Sequence, residues 1–175
     1  MNELFRERRT VISTDRLVLR PFNDSDREEA SAIFLDPEIS KTYMLPTFPD
    51  IAAVNALFGR LKTLSEAEDR FVYAVALDDR LIGFLNEVDI SGSAVEVGYV
   101  IARPEWNKGY ATEALKDVIE ELFRLGFTAV RAGYFEGNAA SRRVMEKAGM
   151  IPTGEYDKIE YRGETHRCPY MEIRK

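Results

Sequence analysis

Apolar positions recur along this chain with two periods, and the switches between them lay out its elements. In RLVLRPF, Leu17 and Leu19 alternate with Arg16, Val18 and Arg20, the period-two pattern of a strand. NDSDREEASAIFL follows, with Ser25 and Glu28 at capping-box spacing ahead of Ala30, Ile33 and Phe34, and predicts a helix. SKTYMLPTFPD (40–50) mixes aromatics with prolines and predicts an irregular loop. IAAVNALFGRLKTL then carries Val54, Leu57, Phe58, Leu61 and Leu64 at helical spacing.

FVYAVAL, RLIGFLNEVDI and AVEVGYVI predict an antiparallel meander, turning at Asp78-Asp79-Arg80 and at Ser91-Gly92-Ser93. The next helix is the clearest in the chain: Ala111, Ala114, Leu115, Val118, Ile119, Leu122 and Phe123 form one stripe that Gly126 ends. FTAVRAGYF predicts a strand, and NAASRRVMEKAGM a short helix with Asn138 as N-cap and Gly149 past its end. GEYDKIEYRGETHRCPYMEIR closes as a hairpin turning at Arg162-Gly163-Glu164. This order predicts a mixed α/β fold, one helix-covered sheet in which the strand-helix-strand unit at 95–134 makes a parallel pair.

Length and charge narrow the class. The 175 residues suit one domain, 1–175. A net charge of -6 argues against nucleic acid as a partner and is compatible with a cationic substrate. The single cysteine, Cys168, excludes an internal disulfide and a multi-cysteine metal site, and with one histidine, His166, no zinc site is expected. The charged start MNELFRERRTVISTDR has no apolar core, and no apolar run approaches the roughly 20 residues of a membrane span. A soluble, cytoplasmic protein is expected.

The candidate chemistry lies in RPEWNKGYATEAL (103–115). Small residues where a helix must start leave backbone N–H groups uncovered, and such groups bind anions. Gly109 allows close backbone approach, and the Thr112 hydroxyl can add a donor.

AVEVGYVIARPEWNKGYATEAL, followed by EGNAASRRVMEKAGM, resembles the GNAT superfamily of N-acetyltransferases. The similarity is greatest to the RimJ/RimL-like branch, which acetylates N-termini of ribosomal proteins; TDRLVLRPFNDSD and YRGETHRCPY also look like that branch. The resemblance implies a mostly antiparallel sheet with one parallel pair and helices on both faces. It implies that the anion is the pyrophosphate of acetyl-CoA, the co-substrate, and that no metal takes part. The superfamily's loop then falls on Trp106, Asn107, Lys108, Gly109, Tyr110, Ala111 and Thr112, with Trp106 in place of Arg or Gln and Asn107 where the branch commonly has glycine. Asn tolerates the left-handed region better than other non-glycine residues. The strand at Val100 and Ile101 is also carried to the cofactor, and a backbone N–H around Gly98 to Val100 to the oxyanion. Asn138 caps its helix, which alone would account for it, or, by resemblance, caps it and also meets the pantetheine arm. Arg142, with Arg143 and Lys147, is placed either at the 3′-phosphate or on a solvated face.

For the chemistry, Glu96 is the candidate base, the one charge in VEVGYVI, and its alternative is a strand-end carboxylate paired with an arginine. Glu87 is second choice. Many family members use a tyrosine seven residues after the capping asparagine, where this chain has Met145. Ser141 matches the serine proposed as acid in the branch, or else supports the helix start. Tyr43, Phe48 and Glu87 are the candidate substrate wall, together with Tyr156, Tyr161 and His166, unless these aromatics only fill the core edge and His166 faces solvent. The function implied is direct acetyl transfer to a peptide N-terminus or small-molecule amine in a ternary complex, by a monomer or homodimer. The alternative is a non-catalytic acyl-CoA-sensing module.

Overall fold

The computed structural model describes residues 3–175; Met1 and Asn2 lie outside the described residues. The strands are β1 (Ile12–Ser13), β2 (Val18–Arg20), β3 (Val72–Leu77), β4 (Arg80–Ser91), β5 (Ala94–Ile101), β6 (Ala129–Gly133), β7 (Ile151–Tyr161) and β8 (Glu164–Arg174). They form one eight-stranded sheet in the order β1-β2-β3-β4-β5-β6-β8-β7. Every neighbouring pair is antiparallel except β5 and β6. The helices are α1 (Arg27–Leu35), α2 (Ile51–Glu66), α3 (Tyr110–Arg124) and α4 (Ala139–Lys147).

The expected helices on both faces are present, and strand alternation explains how once β4 changes phase at Ile82, an extra residue between the Val75–Gly83 and Ala76–Leu81 pairs. Ile82 and Leu85 of β4 join Val95 and Val97 of β5 in a core with Leu115, Val118 and Leu122 of α3 and Met145 of α4. Leu81, Phe84 and Val100 point the other way, into a second core with Ile33 and Phe34 of α1 and Val54 and Phe58 of α2. Each fully buried aliphatic or aromatic side chain contributes roughly 1.5–3 kcal/mol.

Three local features differ from expectation. The capping interaction at α1 comes two residues early: Asp26 Oδ2 accepts from Asn23 N at 2.8 Å, while Ser25 Oγ donates to Asn23 Oδ1 at 2.6 Å. Arg20 fixes Asp26 there with an ion pair at 2.7 Å, a tertiary contact that local spacing cannot show. The two-residue β1 is too short to have a period. The last hairpin starts at Ile151, earlier than the pattern suggests, with Pro152 inside β7; β7 is an edge strand, where a missing N–H is tolerated.

A second irregularity of β4 shapes the centre. In β4, Glu87 pairs with Val97 but Asp89 pairs with Glu96, so Val88 is an extra, bulged residue. A bulge bends and twists its strand. On the other edge of β5, pairing with β6 runs only through Ala94, Val95 and Glu96. Beyond Glu96 the two strands diverge, and among the described residues the β6-facing edge of Val97–Ile101 is left without a strand partner.

Candidate active site

That divergence opens a cavity of about 530 Å³ between β5, the start of α3 and α4. The turn leading into α3 is built by left-handed backbone. Asn107 has φ 61° and Gly109 φ 83°. Gly109 is the N-cap of α3 and supplies no side-chain cap. The first intrahelical bond runs from Glu113 N to Gly109 O at 3.1 Å. The N–H groups of Tyr110, Ala111 and Thr112 therefore precede the helical ladder, at the positive end of the helix dipole, and all three residues line the cavity.

The turn is fastened from outside. Trp106 Nε1 donates to Ile101 O at 2.7 Å, folding the loop back on the end of β5. Glu113 accepts from Thr14 Oγ1 at 2.6 Å and from Arg16 N at 2.7 Å, and pairs with the Arg16 guanidinium at 2.7 Å. Arg16 also donates to Lys108 O at 3.0 Å and lies over the Tyr110 ring at 4.6 Å. Burial pushes the Glu113 carboxyl up, but these donors outweigh it and hold it below its ordinary value. Lys108 is committed to Glu105 at 2.8 Å, beside Arg80 at 2.6 Å. The Lys108 bond, then the Arg80 bond, lowers the pKa of Glu105. Lys108 is thus a brace of the loop and does not line the cavity, whereas Trp106, Asn107 and Gly109 do, with Val100 and Ile101.

On α4, Asn138 Oδ1 accepts from Ser141 N at 3.1 Å, the expected cap. Asn138 and Ser141 both line the cavity. Arg142 does not; it pairs with Glu146 at 2.9 Å, one turn along the exposed face. Arg143 and Lys147, four apart and so on one face, are the basic residues of α4 that line the cavity, and Lys41 lines it from the 40–45 loop. Met145 is buried in the core.

The acid-base candidates divide between the two sheet faces. Glu96 pairs in register with Asp89 and Arg131 and shares its face with Gly98 and Val100. Burial raises its carboxyl pKa; Arg131 opposes this, and Asp89 and Asp157 add to it. Arg131 is itself bonded to Glu155, and among the described residues Glu96 has no ion pair. Glu96 lies outside the residues lining the cavity. Glu87 lies on the opposite face, tied to Arg70 at 2.6 Å and accepting from Phe71 N at 2.8 Å; it too lies outside the cavity. Burial raises its pKa against the pull of Arg70.

Among the substrate-wall candidates, Tyr43 lines the cavity with its hydroxyl 3.3 Å from Asn86 Oδ1, reaching across β5 where Gly98 has no side chain. Phe48 instead stacks on Phe34 at 6.2 Å, over the α1–α2 core. Tyr161, near the hairpin tip, fastens the 40–45 loop: its hydroxyl donates to Ser40 O at 2.9 Å and accepts from Leu45 N at 3.2 Å. His166 stacks on Phe135 at 4.4 Å rather than facing solvent freely. Tyr156 lies outside the cavity, under the Arg167 guanidinium at 4.1 Å. Cys168 is buried, and burial pushes its thiol up to about 11, which suits an inert side chain.

One residue that sequence reasoning passed over stands in the cavity wall: Tyr99, whose hydroxyl is 2.9 Å from Ser141 Oγ. The signal was present, since Tyr99 alternates with Val95 and Val97 and so faces α3 and α4.

The chain matches the family model described as Acetyltransferase (GNAT) domain over residues 16–151. The uncharacterized N-acetyltransferase p20 of Bacillus licheniformis is 30% identical over 164 residues, covering 87% of this chain and 90% of p20. The crystal structure of the acetyltransferase (GNAT family) from Bacillus anthracis matches with a TM-score of 0.81 at 25% identity, covering 94% of this chain and 98% of that one. Mycobacterium smegmatis RimJ in complex with CoA-disulfide matches with a TM-score of 0.80, covering 97% of this chain and 88% of that one; at 18% identity the likeness is one of fold.

Proposed function

The chain belongs to the acetyltransferase (GNAT) domain family and is an N-acetyltransferase, and we propose that it moves the acetyl group of acetyl-CoA directly to a primary amine in a ternary complex. The observation that carries the donor is the left-handed Asn107 and Gly109 pair, which turns the free N–H groups of Tyr110, Ala111 and Thr112 toward the cavity. A diphosphate fits there by charge and by geometry. Arg143 and Lys147 are placed for a further phosphate, and the unpaired edge of β5 for the pantetheine amides. The complex of the RimJ neighbour with CoA-disulfide supports the same donor for this chain.

In the transfer, the amine lone pair forms the C–N bond, and the C–S bond breaks with its electron pair on sulfur. Ser141 Oγ–H gives the sulfur a proton and is reprotonated from water. The proton lost from nitrogen passes through water to Glu96, whose raised pKa suits a base near neutrality. A backbone N–H between Gly98 and Val100 holds the oxyanion. The acceptor is a peptide N-terminus or a small-molecule amine. The run WNKGYATEA and the fold match to RimJ favour the peptide side.

The test is calorimetry of acetyl-CoA with the wild type and Gly109→Glu, then CoA release with a panel of peptides and amines. Binding lost in the variant, with release on one acceptor class, supports the reading and names the class. Binding without release on any acceptor sinks the enzyme mechanism and leaves a sensing module. No binding sinks the donor assignment.

A further inference from the structure

Ser141 is a weak acid by itself, and a serine hydroxyl near a helix start is free to turn its proton toward several acceptors. Its surroundings restrict that freedom. Asn138 Oδ1 already accepts from Ser141 N, which fixes the residue at the third position of α4. Tyr99 reaches it from β5: its hydroxyl donates to Ser141 O at 3.2 Å and lies 2.9 Å from Ser141 Oγ, a contact in which either oxygen can be the donor. Among the described residues, Ser141 Oγ has no other hydrogen-bond partner. Both residues line the cavity, whereas Met145, at the position where a tyrosine acid is otherwise expected, is sealed in the core.

We propose that Tyr99 is a positioning residue for Ser141: its phenol proton is shared in a forked bond between Ser141 Oγ, the shorter arm, and Ser141 O, so the serine proton is turned into the cavity toward the sulfur of CoA. A phenol is the stronger acid of the two and takes the donor role. The serine oxygen, once it accepts from Tyr99, keeps its own O–H for a third partner. Burial raises the Tyr99 pKa to about 12, so the phenol stays protonated and keeps its donor. The net transfer involves only the Ser141 proton, and Tyr99 ends each turnover as it began. A tyrosine on the strand thereby orients an acid on the helix. This inference rests on the reading of Ser141 as the proton donor to sulfur.

The test needs no acceptor. The thiol of bound CoA is titrated by its thiolate absorbance, as the difference between the complexes with CoA and with desulfo-CoA, so that Cys168 and the tyrosines cancel. Arg143 and Lys147 of α4, Glu38 and Lys41 at the 40–45 loop and Glu105 before α3 line the cavity in every variant, so differences between variants report the two hydroxyls. The wild type is expected to hold the bound thiol below free CoA. Ser141→Ala, Tyr99→Phe and the double variant are each expected to raise it by roughly one pH unit, with the double no higher than Ser141→Ala. Calorimetric affinity for CoA within about threefold of wild type shows that the cavity is intact, a change well under the tenfold that 1.4 kcal/mol represents. A Tyr99→Phe protein that titrates as wild type, beside a shifted Ser141→Ala, overturns the role of Tyr99 and leaves Ser141 standing. Additive shifts in the double variant, or loss of CoA binding in Tyr99→Phe, overturn it as well. A Ser141→Ala protein that titrates as wild type removes the reading of Ser141, and the inference with it.

Discussion

Glu96 and Tyr99 lie on the same strand and face opposite sides of the sheet. Tyr99 packs with the α3–α4 core, while Glu96 shares the face of Val100 and the α1–α2 core. Under the proposed mechanism the two protons of the reaction are therefore handled on opposite faces of the sheet.

Glu96→Gln separates activity from stability. Activity on the acid side is expected to lose its inflection, and kcat to fall about 10²-fold, checked by a pH profile of CoA release. Stability moves the other way. The folded-state pKa of Glu96 is raised, so its favourable contribution is complete below the ordinary carboxylate value and is lost as pH rises through the raised one. Glu96→Gln is expected to melt about 1 °C or more above wild type at pH 8 and level with it near pH 4. Equal melting at both pH values would contradict the desolvated carboxylate.

Glu113→Gln carries the opposite sign. The Glu113 pKa is lowered, so its contribution is present above the ordinary value and lost as pH falls through the folded one. The variant is expected to melt roughly 2–4 °C below wild type at pH 7, narrowing toward acid pH. Acetyl-CoA affinity should fall with it, because Glu113 and Arg16 hold the outside of the turn.

Gly109→Ala places a Cβ at φ 83°. The left-handed region costs a non-glycine residue roughly 1–2 kcal/mol, and denaturant unfolding should show that loss. Asn107→Ala, at φ 61°, should show a smaller or similar loss. An unchanged midpoint in Gly109→Ala would mean that the turn has another conformation.

Met145→Tyr is expected to destabilise by about 1–3 kcal/mol through overpacking, with no gain in kcat. The side chain is 1% exposed, so a phenol there meets the core and not the substrate. A faster Met145→Tyr enzyme would show that α4 can rotate to present it.

Tyr161→Phe leaves Leu45 N–H and Ser40 C=O without their partner, at a cost of about 1–2 kcal/mol. Amide exchange should quicken in the 40–45 loop while α3 stays protected. Acceptor KM is expected to rise more than acetyl-CoA KM, and equal changes in both would remove the loop from the acceptor wall.

Much of the fold was legible because periodicity and turn chemistry agreed. The stripe from Ala111 to Phe123, the paired aspartates at 78 and 79, and the Gly163 turn each announce an element by local physics alone. The turn before α3 was legible for the same reason: Asn107 and Gly109 are the residue types that left-handed backbone selects. What escaped depends on distance. Nothing near Glu87 in sequence indicates that Arg70 holds it, and nothing near Lys108 announces Arg80 on the far side of Glu105. Arg142 and Arg143 differ by one helical step, about 100°, which is finer than a helix start can be placed from sequence. Tyr99 became meaningful only when α4 was laid across it.

The hydroxyl of Tyr161 joins residues 116 positions apart in sequence at Leu45, so the loop before α2 and the hairpin at the sheet edge are not independent parts. Transplanting either alone from a relative would separate a donor from its acceptor. Under the proposed acceptor wall, an exchange of acceptor preference between two such enzymes has to move both segments as one graft, the tyrosine together with the loop it holds.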